Sequence, residues 1–185
     1  HSYTVAGNSG NSDDLVVYDI STPSQPAFRT RINTNLGSLW DVALQDGWAY
    51  LAGDQLGTVD LPATTPSVVI GQNFNGFERA VAVSGPYAFT AEAGSLEDGV
   101  IRIYDVSVPA SPRHLRDQKM YDATGIDFTD LVLYGDDYIV AITNIGTNDD
   151  TVVDRRNLSD LRIVASLPIP QIQGFRGVVD GKTLW

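Results

Sequence analysis

The feature that most constrains this chain is that it copies itself. Val17-Tyr-Asp-Ile-Ser-Thr-Pro-Ser-Gln-Pro26 returns as Ile103-Tyr-Asp-Val-Ser-Val-Pro-Ala-Ser-Pro112. A degraded copy, Thr58-Val-Asp-Leu-Pro-Ala-Thr-Thr-Pro66, lies between them, and Val152-Val-Asp-Arg-Arg-Asn-Leu158 is a fourth without proline. Their shared aspartates, Asp19, Asp60, Asp105 and Asp154, are spaced by 41, 45 and 49 residues. A period of this length marks stacked units that cannot bury their apolar faces alone.

A second element keeps pace with the first. Val42–Ala52 matches Val81–Ala91, with looser copies at Val132–Ala141 and Val178–Leu184. Each has a β-rich run, a Gly/Asp turn and a second β-rich run carrying an aromatic or Leu, which is the pattern of a tight hairpin. One repeat therefore reads as four strands. In the third repeat the pattern predicts Arg79–Ser84, Tyr87–Glu92, Val100–Val106 and Arg113–Lys119. No long stripe of 3.6-residue period appears, so helices have little room. The expected fold is all-β, a β-propeller of four-stranded antiparallel blades. The approximate repeats are 1–35, 36–74, 75–121, 122–170 and, as the start of a further blade, 171–185.

The ends suggest an open structure. His1 stands where an initiator Met is expected, which predicts a processed or truncated chain with any targeting signal outside it. The first and last segments both align with the second strand of a blade. Two segments claiming one slot predict an incomplete arc of about four blades from a larger propeller. Its open ends would be covered by further blades of the same chain or by a second chain.

Composition narrows the partners. Twelve basic residues stand against 23 acidic ones, for a net charge of −11. This field disfavours nucleic acid and anionic lipid, and no run approaches the roughly 20 apolar residues of a membrane span. With no cysteine there is no disulfide framework and no thiolate chemistry.

The paired motifs Tyr-Asp-[Ile/Val]-Ser-x-Pro-x-x-Pro and Val-Ala-Val-Ser-Gly-x-Tyr-Ala-Phe resemble the LVIVD repeat family. Positions 17–26 and 81–112 carry the resemblance well. The copy at 58–66 lacks the Ser after Asp-Leu, and 152–158 replaces the Pro turn with Arg155-Arg156-Asn157. The resemblance implies a propeller in a secreted or cell-surface protein of bacteria or archaea, and it brings no catalytic residues.

Three groups of residues carry candidate chemistry. Asp19, Ser21, Pro23 and their counterparts read as turn formers, the aspartate accepting backbone N–H bonds at a strand end. The loops between second and third strands hold Asp13, Asp14, Asp54, Glu97, Asp98, Asp149 and Asp150. They read either as solvated turns or as an acidic rim with oxygen ligands for Ca²⁺. The connectors into each first strand carry Trp40, Asp41, Phe77, Glu78, Arg79, Asp127, Asp130 and Arg176. They read either as packing between blades with charge pairs across the channel, or as a mouth binding a small ligand, sugar or peptide.

Nucleophilic catalysis has little support, because His1 stands at the terminus, His114 reads as an outer-strand position and no nucleophile elbow or HExxH stands in the sequence, while acid–base chemistry by Asp127 or Asp130 with Asp41 stays open. Arg155-Arg156 reads as an exposed turn or cleavage-prone site rather than an anion pocket. The expected function is a secreted or surface binding module meeting a protein or glycan, with Ca²⁺ as candidate cofactor. The alternatives are a metal-dependent hydrolase or lyase with its site in the channel, and a spacer with no ligand.

Overall fold

A computed structural model describes residues 3–7, 14–72, 77–93, 99–120, 128–143, 150–167, 177, 179–180 and 183–184. Among them every regular element is a strand. No helix there is long and apolar enough to cross a membrane.

The strands group into consecutive antiparallel sheets. The first is β1 (Tyr3–Gly7), β2 (Asp14–Asp19) and β3 (Ala27–Asn33). The second is β4 (Asp41–Gln45), β5 (Trp48–Ala52), β6 (Leu56–Asp60) and β7 (Val68–Ile70). β8 (Phe77–Ser84), β9 (Tyr87–Ala93), β10 (Val100–Asp105) and β11 (Arg113–Lys119) form the third. β12 (Phe128–Tyr134), β13 (Tyr138–Thr143), β14 (Asp150–Asp154) and β15 (Arg162–Leu167) form the fourth. A hairpin of β16 (Val179–Asp180) and β17 (Thr183–Leu184) follows. These are propeller blades, each paired in sequence order. Among the described residues no ladder joins the first sheet to the last hairpin.

Period-2 alternation gives each sheet two apolar faces, which stacking buries. Leu15, Val17 and Ile32 of the first blade meet Leu39, Leu51 and Val59 of the second. On its other face the second blade sends Tyr50, Ala52 and Leu56 against Val81, Val83, Ala88 and Tyr104 of the third. The third blade then turns Phe89, Ile101 and Ile103 toward Phe128, Leu131, Ile139 and Val153 of the fourth. Each of the large side chains in these seams contributes roughly 1.5–3 kcal/mol by leaving water.

The repeated sequence has repeated geometric consequences. The ladder between third and fourth strands shifts register between Val17/Tyr18, Ile103/Tyr104 and Val152/Val153, in each case just before the shared aspartate. Such a bulge adds one unpaired residue and twists the outer strand away. The second blade pairs only Gly57–Val59 with β7 and shows no shift there. After the bulge, Asp19 Oδ1 accepts from Ser21 N at 2.8 Å, Asp105 Oδ1 from Ser107 N at 3.0 Å, and Asp154 Oδ1 from Arg156 N at 3.0 Å. The motif is thus a side-chain-closed turn. In the hairpin between β4 and β5, Asp46 (φ 51°) and Gly47 (φ 83°) both take positive φ, the requirement of a two-residue I′ connection.

Candidate functional site

The inner-strand connectors of the second and third blades meet at one place. Trp40, just before β4, stacks on Phe77, the first residue of β8, with ring centroids 5.7 Å apart and planes 23° apart. The Arg79 guanidinium lies 5.1 Å from the Trp40 ring centre and 6.0 Å from that of Phe77. All three side chains are half-buried. An aromatic pair braced by a cation is a rigid, amphipathic surface suited to recognition.

A bulge in the inner strand creates this arrangement. Glu78 pairs with Glu92 and Ala80 with Ala91, so Arg79 is the extra residue. Arg79 joins the aromatics, while Glu78 turns the opposite way and is fully buried. There it meets Arg102 of β10, whose Nη1 donates to Glu78 Oε1 at 2.7 Å and whose Nη2 lies 2.9 Å from Glu92 Oε2. The Tyr104 hydroxyl donates to Glu78 Oε1 at 3.3 Å. Outward on β11, Asp117 Oδ1 lies 3.4 Å from Arg102 Nε and 2.8 Å from His114 Nε2.

The register shift at Ile103/Tyr104 leaves Leu115 without a ladder partner, which brings His114 and Asp117 onto one face of β11. Burial first, and then the Glu78 charge, push the Tyr104 hydroxyl far above its usual range. Burial opposes the charge on Arg102, but the charge and hydrogen bond of Glu78, together with the charges of Glu92 and Tyr104, more than offset it and hold the guanidinium above its usual value.

Asp41 and Asp130 occupy equivalent inner-strand positions, opposite Ala52 and Ile142 respectively. Each reaches the backbone of the following blade. Asp41 Oδ2 accepts from Val81 N at 2.9 Å, and Asp130 Oδ2 from Gly177 N at 2.7 Å. The third blade has Ala80 at that position, and there Leu131 N donates instead to Asp130 Oδ1 at 2.9 Å.

Trp40 and Arg79 therefore come together, Glu78 lies beneath them, and Asp41 and Asp130 tie adjacent blades. Asp127 and Arg176 fall outside the described residues, as do Asp13, Glu97, Asp98 and Asp149. Asp14 opens β2 opposite Asn33. Asp54 is exposed, its N–H donating to Leu36 O at 2.7 Å, and a Cβ on Gly37 would run into its carboxylate. Asp150 is buried and accepts from Thr143 N at 2.9 Å. Among the described residues no three His, Asp or Glu side chains form a metal-binding group.

One reading needs correction. Arg155 is not an exposed turn residue, since it is 9% exposed, 5.8 Å from the Phe89 ring centre, and donates to Ser84 Oγ at 3.1 Å and Gly135 O at 3.3 Å. At the preceding seam the equivalent place is taken by Gln45, whose amide exchanges hydrogen bonds with Gly85 N and O at 2.9 and 2.7 Å. Ser84 is shorter than Gln45, and Arg155 bridges from the other side. Arg156 is exposed and pairs with Asp154.

Residues 9–34 and 75–115 match the model of the LVIVD repeat. These two segments are similar to the LVIVD repeat. The second matched segment holds Phe77, Glu78, Arg79, Glu92 and Arg102, so the buried charges and two of the three connector side chains lie within a segment similar to the LVIVD repeat, while Trp40 lies outside both matches. No curated protein matches the chain by sequence.

Solved structures show the same architecture. The computationally designed Ika8 protein aligns with a TM-score of 0.67 at 16% identity, covering 96% of this chain and 50% of its own. A chain of the mitotic checkpoint complex gives 0.69 at 14%, covering 97% and 55%. The Neurospora crassa Pan2 WD40 domain gives 0.55 at 12%, covering 89% and 49%. The chain thus spans about half the length of these structures, and the likeness is one of fold.

Proposed function

We propose that the chain is a binding module, secreted or held at a cell surface, that takes a segment of a protein or glycan at the mouth formed by Trp40, Phe77 and Arg79. The observation that carries this reading is the convergence of two stacked aromatics and a guanidinium from two different blades, each half-exposed. Aromatic faces with a fixed charged group are the usual anchors of recognition surfaces, whether the partner offers a sugar ring or a side chain. The LVIVD resemblance supports a location outside the cell. The acidic loops make Ca²⁺ the cofactor to test.

Panels of immobilised glycans and extracellular-matrix proteins, probed with the chain in Ca²⁺ and in EDTA, test the reading. Trp40→Ala and Arg79→Ala are expected to weaken capture at least tenfold, with Asp105→Asn as the neutral control. Capture equal to wild type in both mouth variants would refute the assignment of the mouth, and no capture by any probe would refute the binding function.

A further inference from the structure

Glu78 lies between Phe77 and Arg79 in sequence, yet its side chain points into the seam while theirs form the mouth. Its backbone is also fixed, with Glu78 N donating to Gly53 O of the second blade at 2.6 Å. We propose that Glu78 is the positioning residue of the mouth. It transmits to Trp40, Phe77 and Arg79 the state of a charge network that crosses the whole third blade, and the role assigned to the mouth rests on the binding reading above.

The network runs through named atoms. His114 and Asp117 stand on the outer strand β11, Arg102 and Tyr104 on β10, Glu92 on β9 and Glu78 on the inner strand β8. Three strand spacings separate its ends, roughly 14 Å. Glu78 and Glu92 are register partners on neighbouring strands, an arrangement that repels unless a cation stands between them. Arg102 supplies that cation, and removing it leaves two buried carboxylates face to face.

The smallest backbone movement that separates them lies at the bulge, where Glu78–Ala80 faces Ala91–Glu92, and Arg79 is the bulged residue itself. Glu78 Oε2 is buried and receives no donor among the described residues. From the second blade, the titratable groups bordering this seam are Asp41, which bonds Val81 N, the buried Tyr50, and Asp54 on the loop after β5.

The test needs no ligand, so it stands or falls apart from the binding experiment. Trp48→Phe and Trp185→Phe leave Trp40 as the sole tryptophan of the three. Its emission and acrylamide quenching then report the mouth directly. In this background Arg102→Met and Glu78→Gln are expected to shift Trp40 emission and raise quenching about twofold, with far-UV circular dichroism unchanged. Asp117→Asn should produce a smaller change of the same sign, and Asp105→Asn none.

If either single variant fails to fold, the joint replacement Glu78→Met, Glu92→Met, Arg102→Met removes the three buried charges of the network at once. It should fold and still show the altered Trp40 signal. Folded variants of the network with a wild-type Trp40 signal would overturn the proposal.

Discussion

The third blade presents its two faces to two neighbours, and the two seams are made of different material. Toward the fourth blade it offers Ala80, Ala82, Phe89, Ala91, Ile101 and Ile103, all buried against Phe128, Leu131, Ile139 and Val153. Toward the second blade the alternate residues include Val81, Val83, Ala88 and Tyr104, but the same face also carries Glu78, Glu92 and Arg102. One sheet thus shows both ways of filling a seam. Apolar packing gains from every contact and tolerates small shifts. A buried ion network recovers its desolvation cost only when every partner is present. The candidate mouth stands over the second kind of seam.

The largest expected effects separate the two seams. Phe128→Ala in the apolar seam should cost about 3–5 kcal/mol by urea denaturation, through lost transfer energy and the cavity left behind. Arg102→Met should cost a similar amount, about 3–5 kcal/mol, from strandedness of two buried carboxylates rather than lost volume. A loss well under 1 kcal/mol for Arg102→Met would remove the distinction.

Next in size are the ties between inner strands. Asp41→Ala deletes a charged acceptor from Val81 N and should cost about 1.5–3 kcal/mol, again by denaturation. Gln45→Ala, which loses a more exposed pair of bonds to Gly85, should cost about 0.5–1.5 kcal/mol. Equal values for the two would show that burial does not grade these contacts.

The smallest effect lies outside both seams. Asp105 is held at about 2 by the Ser107 hydroxyl, then the Ser107 amide and Arg113, and Asp154 at about 2 by Arg156. A carboxylate lowered on folding stabilises the folded state above its unfolded value, and that contribution disappears as pH falls. Stability should therefore decline from about pH 4 down through about pH 2. Asp105→Asn should flatten part of that limb in an acid titration of unfolding, while leaving the difference between the seams at neutral pH intact.

Much of the fold was legible because repetition and alternation are properties of the sequence. The strands predicted for the third repeat lie within a residue or two of β8–β11. The Asp-x-Ser element was recognisable as a turn because its chemistry is local. The inward course of Glu78 was not legible, since Phe77-Glu78-Arg79 reads as a connector that either packs between blades or forms a mouth, and only the bulge at Arg79 sets which side chain goes in. A signal did exist in Arg102, an arginine inside the run Val100–Val106, with Glu92 in phase with Ala88 and Thr90, because buried charges require partners. Arg155 was misread for a related reason. It keeps the parity of the buried Val153, and the doubled arginine masked that.

The most direct test of the difference between the seams compares Arg102→Met with the joint replacement Glu78→Met, Glu92→Met, Arg102→Met by equilibrium urea unfolding. If the second seam is governed by a buried charge network, the single variant loses about 3–5 kcal/mol and the joint variant returns to wild-type stability or exceeds it by about 1–4 kcal/mol. A joint variant less stable than Arg102→Met alone would contradict the account, and would mean that these side chains hold the blades together by shape rather than by charge.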